Sequence, residues 1–165
     1  MDSEPPHRLT TTHQSRPVGR FICRSRTMVN HVGKRVEGFN SQFFEAVLNR
    51  RELSRLPTFV AVDYIEHGPT PGQAAGLQGV AEHIQLFFSA FSDIHYNLEA
   101  VIVEENKVVA RWTLTGRHSG GFLGIKATGK QIEATGIDIY YFQNDKIREH
   151  WHEMDMLRLV TQLKP

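Results

Sequence analysis

The spacing of apolar positions changes along the chain. Over residues 29–50, Val32, Val36, Phe39, Phe43 and Val47, with Phe44 and Leu48 beside them, recur every three or four positions. That period marks one face of an amphipathic helix, and Arg50 and Arg51 suit its last turn by the helix dipole. A short second helix is expected over residues 52–56, ended by Pro57. The apolar run from Phe59 to Ile65 fits a helical turn or a strand, and only residues 64–67 read as extended. Residues 68–79 (GPTPGQAAGLQG) form a loop by their glycine and proline content. A further helix is expected over residues 80–91, with Val80, Ile84, Phe87, Phe88 and Phe91 on one side.

Beyond Asp93 the period falls to two. Strands are expected over residues 96–104, 108–117, 130–142 and 146–155, with a turn at Asn106 and a glycine-rich loop over 119–129. Asn144-Asp145 reads as a compact hairpin turn, and residues 156–163 as a closing helical turn. Helices followed by four antiparallel strands make an α+β layout rather than alternating β-α-β units. No internal repeat is present.

Composition narrows the function classes. A chain of 165 residues suits one domain, expected over residues 28–165. Residues 1–27 hold five Arg against Asp2 and Glu4, with scattered Pro, Ser and Thr and few apolar positions. They read as a disordered tail or a start upstream of Met28; a transit segment is disfavoured by the two early acids. A net charge of +1 gives no electrostatic case for nucleic acid. No apolar run is long enough for a membrane helix, and no hydrophobic stretch near Met1 suggests secretion. The single cysteine, Cys23, cannot form an intrachain disulfide and fits a reducing compartment, so a cytoplasmic location is expected.

The last two strands carry the candidate chemistry. Strand alternation places Asp138, Tyr140 and Phe142 on one face, and Arg148, His150, His152 and Met154 together on their partner. Ile147, Glu149, Trp151 and Glu153 are then expected on the opposite face. With a three-residue loop over 144–146, Asp138 falls directly across from His152. Opposed residues have Cβ atoms roughly 4.5–5.5 Å apart, within hydrogen-bond reach for carboxylate and imidazole. A two-residue loop would shift the register by one and turn His152 to the other face. The carboxylate can hold the imidazole in one tautomer and raise its basicity, or burial can make the carboxyl itself the proton carrier. The same pair could instead be an ion pair that staples two strands.

Other chemistries find less support. His150 and His152 share a face, but a metal site would need Asp138, His67 or His118 as a third ligand, and no metal is expected. The glycine-rich loops match neither a phosphate cradle nor a dinucleotide fingerprint, and no serine elbow is present.

Several stretches together resemble one family. Tyr64-Ile-Glu-His-Gly-Pro69, Pro71-Gly72 and Ala90-Phe-Ser-Asp93 are similar to the His-x-Pro loop and Phe-x-Asp helix end of the SnoaL-like polyketide cyclases. Arg111-Trp-Thr-Leu-Thr-Gly-Arg-His118, Gly121-Phe-Leu-Gly124 and Ala127-Thr-Gly129 resemble that family's central signature. Lys146-Ile-Arg-Glu-His-Trp-His152, Asp155 and Gln162-Leu163 resemble its close. The resemblance implies a cone-shaped α+β barrel of the nuclear-transport-factor-two-like superfamily, with N-terminal helices packed on a curved antiparallel sheet, assembled as a homodimer. It implies aldol ring closure of a small apolar carbonyl compound without metal or cofactor. In the characterised cyclases an Asp base occupies the position of His152, and a His that of Asp138; here the pair is exchanged.

The enzyme reading therefore takes Asp138 and His152 as catalytic, with His67, His118, Tyr140, His150 and Trp112 in the substrate pocket. Alternatives are a non-catalytic small-molecule carrier or dimerisation module of the same fold, and an epoxide hydrolase using Asp138, Arg148 and Asp155.

Overall fold

A computed structural model gives the arrangement of residue 38 and residues 41–164. The tail expected over residues 1–27, and most of the first helix before Ser41, lie outside the described residues. That helix ends in α1 (Phe44–Asn49), wound as a π-helix, with Arg50 N–H donating to Glu45 O five residues back. Its buried side chains are Phe44, Ala46, Val47 and Leu48.

A 3₁₀ turn over Leu53–Arg55 leads into α2 (Leu56–Phe59). Pro57 begins this helix instead of ending one, because a proline in the first turn gives up an N–H that has no intrahelical acceptor. The chain then extends as β1 (Val60–Glu66), longer than the sequence pattern suggested. After the loop, α3 (Gly76–Ala90) starts four residues earlier than expected and passes directly into β2 (Phe91–Glu104). The strands β3 (Lys107–His118), β4 (Gln131–Gln143) and β5 (Lys146–Met154) follow, then α4 (Met156–Leu163).

The result is the expected α+β architecture, with one correction to its sheet. Five strands are present, in the order β1-β5-β4-β3-β2, so the curved sheet is open at β1 and β2. The extra strand, β1, runs parallel to β5 while the other pairings are antiparallel. Its run of Val60-Ala61-Val62 had no usable alternation, as is common for short apolar segments.

The hairpin between β4 and β5 reaches the expected register by a different route. Its loop has two residues, not three: Gln143 pairs with Lys146, and Asn144 and Asp145 both have positive φ (50° and 60°). Such a turn matches strand twist, and Asn and Asp tolerate the left-handed region better than most residues. Phe142 pairs with Ile147, but Tyr141 pairs with Glu149, so Arg148 is an extra residue. This bulge restores the phase, and Asp138 faces His152. It also turns Ile147 into the core, where it is 1% exposed, contrary to the simple alternation.

The core lies between the helices and the concave face of the sheet, filled by Phe59, Phe91, Leu114 and Leu159 among others. No helix among the described residues is long and apolar enough to cross a membrane.

A buried carboxylate at the floor of an apolar pocket

The pocket opens between α1, α3 and the sheet, and encloses a cavity of about 110 Å³. Phe43, Leu48, Val80, Phe87 and Met154 supply apolar wall, and Gly68, Thr70 and Gln73 form part of the rim.

Asp138 sits at the floor, 5% exposed. Its Oδ2 accepts from Trp112 Nε1 at 2.8 Å and from the Tyr140 hydroxyl at 2.7 Å. Its Oδ1 is 2.7 Å from His152 Nδ1 and 3.4 Å from His150 Nε2. The longer contact is an electrostatic one, and His150 Nε2 makes no hydrogen bond.

Each of these neighbours is placed by the sheet. Tyr140 follows Asp138 on the same face of β4, while His150 and His152 alternate on β5 opposite them. Trp112 on β3 pairs with Gly136, which lets the indole lie flat over the β4 backbone. A Cβ at Gly136 would fall 2.2 Å from Trp112 Cζ2. Gly136→Ala is therefore expected to displace the indole from Asp138 and cost about 1–3 kcal/mol, read as a lower Tm with a changed tryptophan spectrum.

A second carboxylate lies behind the first. Tyr64 and Glu66 alternate on β1, and the Tyr64 hydroxyl donates to Glu66 Oε2 at 2.5 Å. His150 Nδ1 is 2.7 Å from Glu66 Oε2 and 2.9 Å from the Tyr64 hydroxyl. His150 thus stands between two carboxylates, Glu66 and Asp138.

Burial opposes charge at all three groups, yet their mutual attraction prevails. Burial pulls the His150 pKa down, but the adjacent carboxylates of Asp138 and Glu66 lift it to about 9. Burial pushes Glu66 up, and His150 with Tyr64 brings it down to about 2. Asp138 is likewise pushed up by burial and held below the usual carboxylate range by His150 and His152. Near neutral pH the floor is Asp138⁻, His150⁺ and Glu66⁻. Burial, followed by the nearby Asp138 charge, raises the pKa of Tyr140, which keeps its proton.

The site gathers Asp138, His152, Tyr140, His150 and Trp112 from the sequence-based set. It does not gather His67 or His118. His67 Nε2 is 2.7 Å from Glu149 Oε2, and its ring stacks at 4.0 Å on Trp151, on the other side of the sheet. One residue beyond Glu66, it has the opposite strand parity. His118 is fully buried at the end of β3, beside Phe91, with Nδ1 3.0 Å from Thr128 Oγ1. It fastens the glycine-rich loop. The hydrolase set is not assembled either: Arg148 pairs with Asp63, and Asp155 caps α4 by accepting from Arg158 N at 2.9 Å.

Tyr64, Glu66, Tyr96 and His83 line the pocket although sequence reasoning passed over them. His83 carried a signal, because it lies three residues after Val80 and four before Phe87 on the apolar face of α3.

Asp138, His150 and His152 offer donor atoms within 4.8 Å of one another. Their present use is different: both Asp138 oxygens take protein donors, and a protonated His150 has no lone pair for a cation.

Comparison with known proteins agrees with this architecture. The family model of the SnoaL-like polyketide cyclases matches residues 40–163. Aklanonic acid methyl ester cyclase DnrD of Streptomyces peucetius is 28% identical over 144 residues, spanning 83% of this chain and 90% of the relative. TsrD from Streptomyces laurentii superposes with a TM-score of 0.72 at 32% identity, covering 79% of this chain and 95% of its own. A SnoaL-like polyketide cyclase from Agrobacterium tumefaciens C58 shares the fold, with a TM-score of 0.67 at 20% identity over 78% of this chain and 98% of its own. The chain belongs to the SnoaL-like polyketide cyclase family.

Proposed function

We propose that the protein is a cofactor-independent acid–base enzyme that removes a proton beside a carbonyl of a small apolar compound and closes a ring by aldol addition. The observation that carries this reading is the 2.7 Å contact between His152 Nδ1 and an Asp138 carboxylate already engaged by Trp112 and Tyr140. A carboxylate so surrounded is a weak proton acceptor and a good orienter. With Nδ1–H directed at Asp138, the His152 Nε2 lone pair is free for a substrate proton.

His152 takes the proton from carbon, and the resulting enolate attacks a second carbonyl of the same molecule. The C–H bond breaks first; the C–C bond then forms as the π bond of the second carbonyl breaks, and His152 returns the proton to the new alkoxide. Asp138 stabilises the imidazolium between those two events. The product is an isomer of the substrate, so no redox partner enters the balance. The pocket's aromatic and aliphatic walls suit a polyketide-like skeleton.

The name of DnrD makes aklanonic acid methyl ester the first substrate to try. His152→Ala is expected to lower turnover at least about 10³-fold in a protein that still folds, since the imidazole supplies the general base. Isomer formation is followed by chromatography and mass spectrometry. Undiminished turnover in His152→Ala would remove His152 from the mechanism; substrate binding without turnover by the native protein would favour a carrier.

A further inference from the structure

The pocket has two unlike walls. On the sheet wall, Trp112, Tyr140, His150 and the Asp138-facing side of His152 are all engaged by carboxylates. On the helix wall, α3 contributes His83, which makes no hydrogen bond among the described residues. Its Nδ1 is buried without a partner. Leaving a buried imidazole nitrogen unpaired is costly, and such groups are exceptions that call for a ligand or a function.

The position of His83 is fixed by packing. Its ring contacts Phe87, with centroids 5.3 Å apart, and meets the His152 ring edge-on at 6.3 Å and 73°. The α-carbon and oxygen of an enolising carbonyl are separated by only two bonds. Base and oxygen donor must therefore approach one small unit from adjacent directions, as His152 and His83 do from facing walls.

We propose that His83 is a further catalytic residue, whose neutral ring N–H donates a hydrogen bond to the substrate carbonyl oxygen as it becomes an enolate. This role rests on the acid–base reading above. Burial first, then the neighbouring His152, lowers the His83 pKa; Glu66 and Asp138 oppose that shift and His150 adds to it. The ring is accordingly neutral near pH 7. A neutral imidazole can donate without protonating the oxygen, so negative charge can develop on carbon for the attack. His83 changes no bond: the proton travels from carbon to His152 and then to the alkoxide.

Tyr96 is the competing donor. It lines the same pocket, its hydroxyl has no hydrogen-bond partner among the described residues, and burial raises its pKa. It packs against Trp112 on the sheet side, with ring centroids 5.3 Å apart.

Two probes separate these roles without requiring turnover. 4-Nitrophenol, at a pH where the free probe is neutral, can transfer its proton to His152 and leave an oxyanion in the pocket; nitrobenzene matches its ring and leaves none. Binding is followed by titration, and the bound phenolate by its absorbance. His83→Leu is expected to weaken 4-nitrophenol at least about tenfold and reduce the phenolate band while nitrobenzene binds as before. His83→Gln, which retains an N–H donor, is expected to recover most of the affinity. Equal losses for both probes would make His83 a packing residue and overturn the proposal. So would unchanged binding in His83→Leu, or a loss found only in Tyr96→Phe. In turnover of aklanonic acid methyl ester, His83→Leu is expected to lower kcat about 10²–10³-fold with KM little changed. If the native protein does not turn that ester over, the cyclase reading fails for that substrate, while the two probes still decide the role of His83.

Discussion

Replacement of Asp138 is expected to give the largest single effect, lowering turnover by about 10³–10⁴-fold and stability by about 3–5 kcal/mol in Asp138→Ala. The stability loss follows from what alanine leaves behind. Trp112 Nε1 and the Tyr140 hydroxyl lose their acceptor in a buried site, and protonated His150 keeps only Glu66 as counter-ion. Unpaired buried donors and charges account for most of such penalties. In a protein of this length the corresponding fall in Tm is about 10 °C. Asp138→Asn separates structure from chemistry. It keeps the volume and one acceptor oxygen, so it should melt closer to the native protein, but it cannot hold His152 in the basic tautomer. Near-native turnover by a folded Asp138→Asn protein would reduce Asp138 to a strand staple.

The second large effect is on stability against pH. His150 is raised from its ordinary 6.5 to about 9 in the folded state. Its contribution is therefore fully present below pH 6.5 and is lost as the pH rises through 9. The size of that loss is of the order of 3 kcal/mol. Glu66 and Asp138 act with the opposite sign: their folded pKa values are depressed, so their contribution is present above about pH 4.5 and is lost as acid reaches the folded values, about 2 for Glu66. The network is coupled, and these losses describe shared contacts rather than independent ones. Stability should be greatest between about pH 4.5 and 6.5, with a broad alkaline limb before the tyrosines titrate. Urea unfolding from pH 5 to pH 10 checks this, and His150→Gln should flatten the limb. An unchanged limb in that variant would place the titrating group elsewhere, since Tyr64 and Tyr140 both lie higher.

Much of the fold was legible because the sheet alternates cleanly. On β3, Val108, Ala110, Trp112 and Leu114 are all buried, and on β4 Ala134, Gly136, Asp138 and Tyr140 continue the same face. The chemistry on β4 and β5 was visible for the same reason. Strand parity does not report how far along the face a residue lies, so His118 shared the inner face yet sits at the far end of β3. Nor does parity announce which distant segment joins the sheet. Glu66 became part of the site only when β1 paired with β5, a parallel contact between segments about eighty residues apart, with Glu66 beside His150. The family resemblance identified the architecture, and the packing of α3 against β1 and β2 then brought His83 to the pocket.

Arg148 gives the hairpin a reading frame. Upstream of it, residues on β5 count from the tight Asn144-Asp145 turn; downstream, they count one step later. Its guanidinium holds Asp63, where β1 makes its own excursion from regular pairing, so both irregularities are pinned together. Deleting Arg148 would remove the bulge and leave His152 opposite Asp138, because Ile147 and Glu149 already pair with consecutive residues of β4. Flattening the bulge with every residue kept would instead set Trp151 opposite Asp138 and turn both imidazoles outward. One inserted residue, with the bulge unchanged, would do the same. The inner surface would then lose its base while the outer one gained it. An insertion beside Arg148 is consequently a better marker of altered chemistry among similar chains than its loss or substitution.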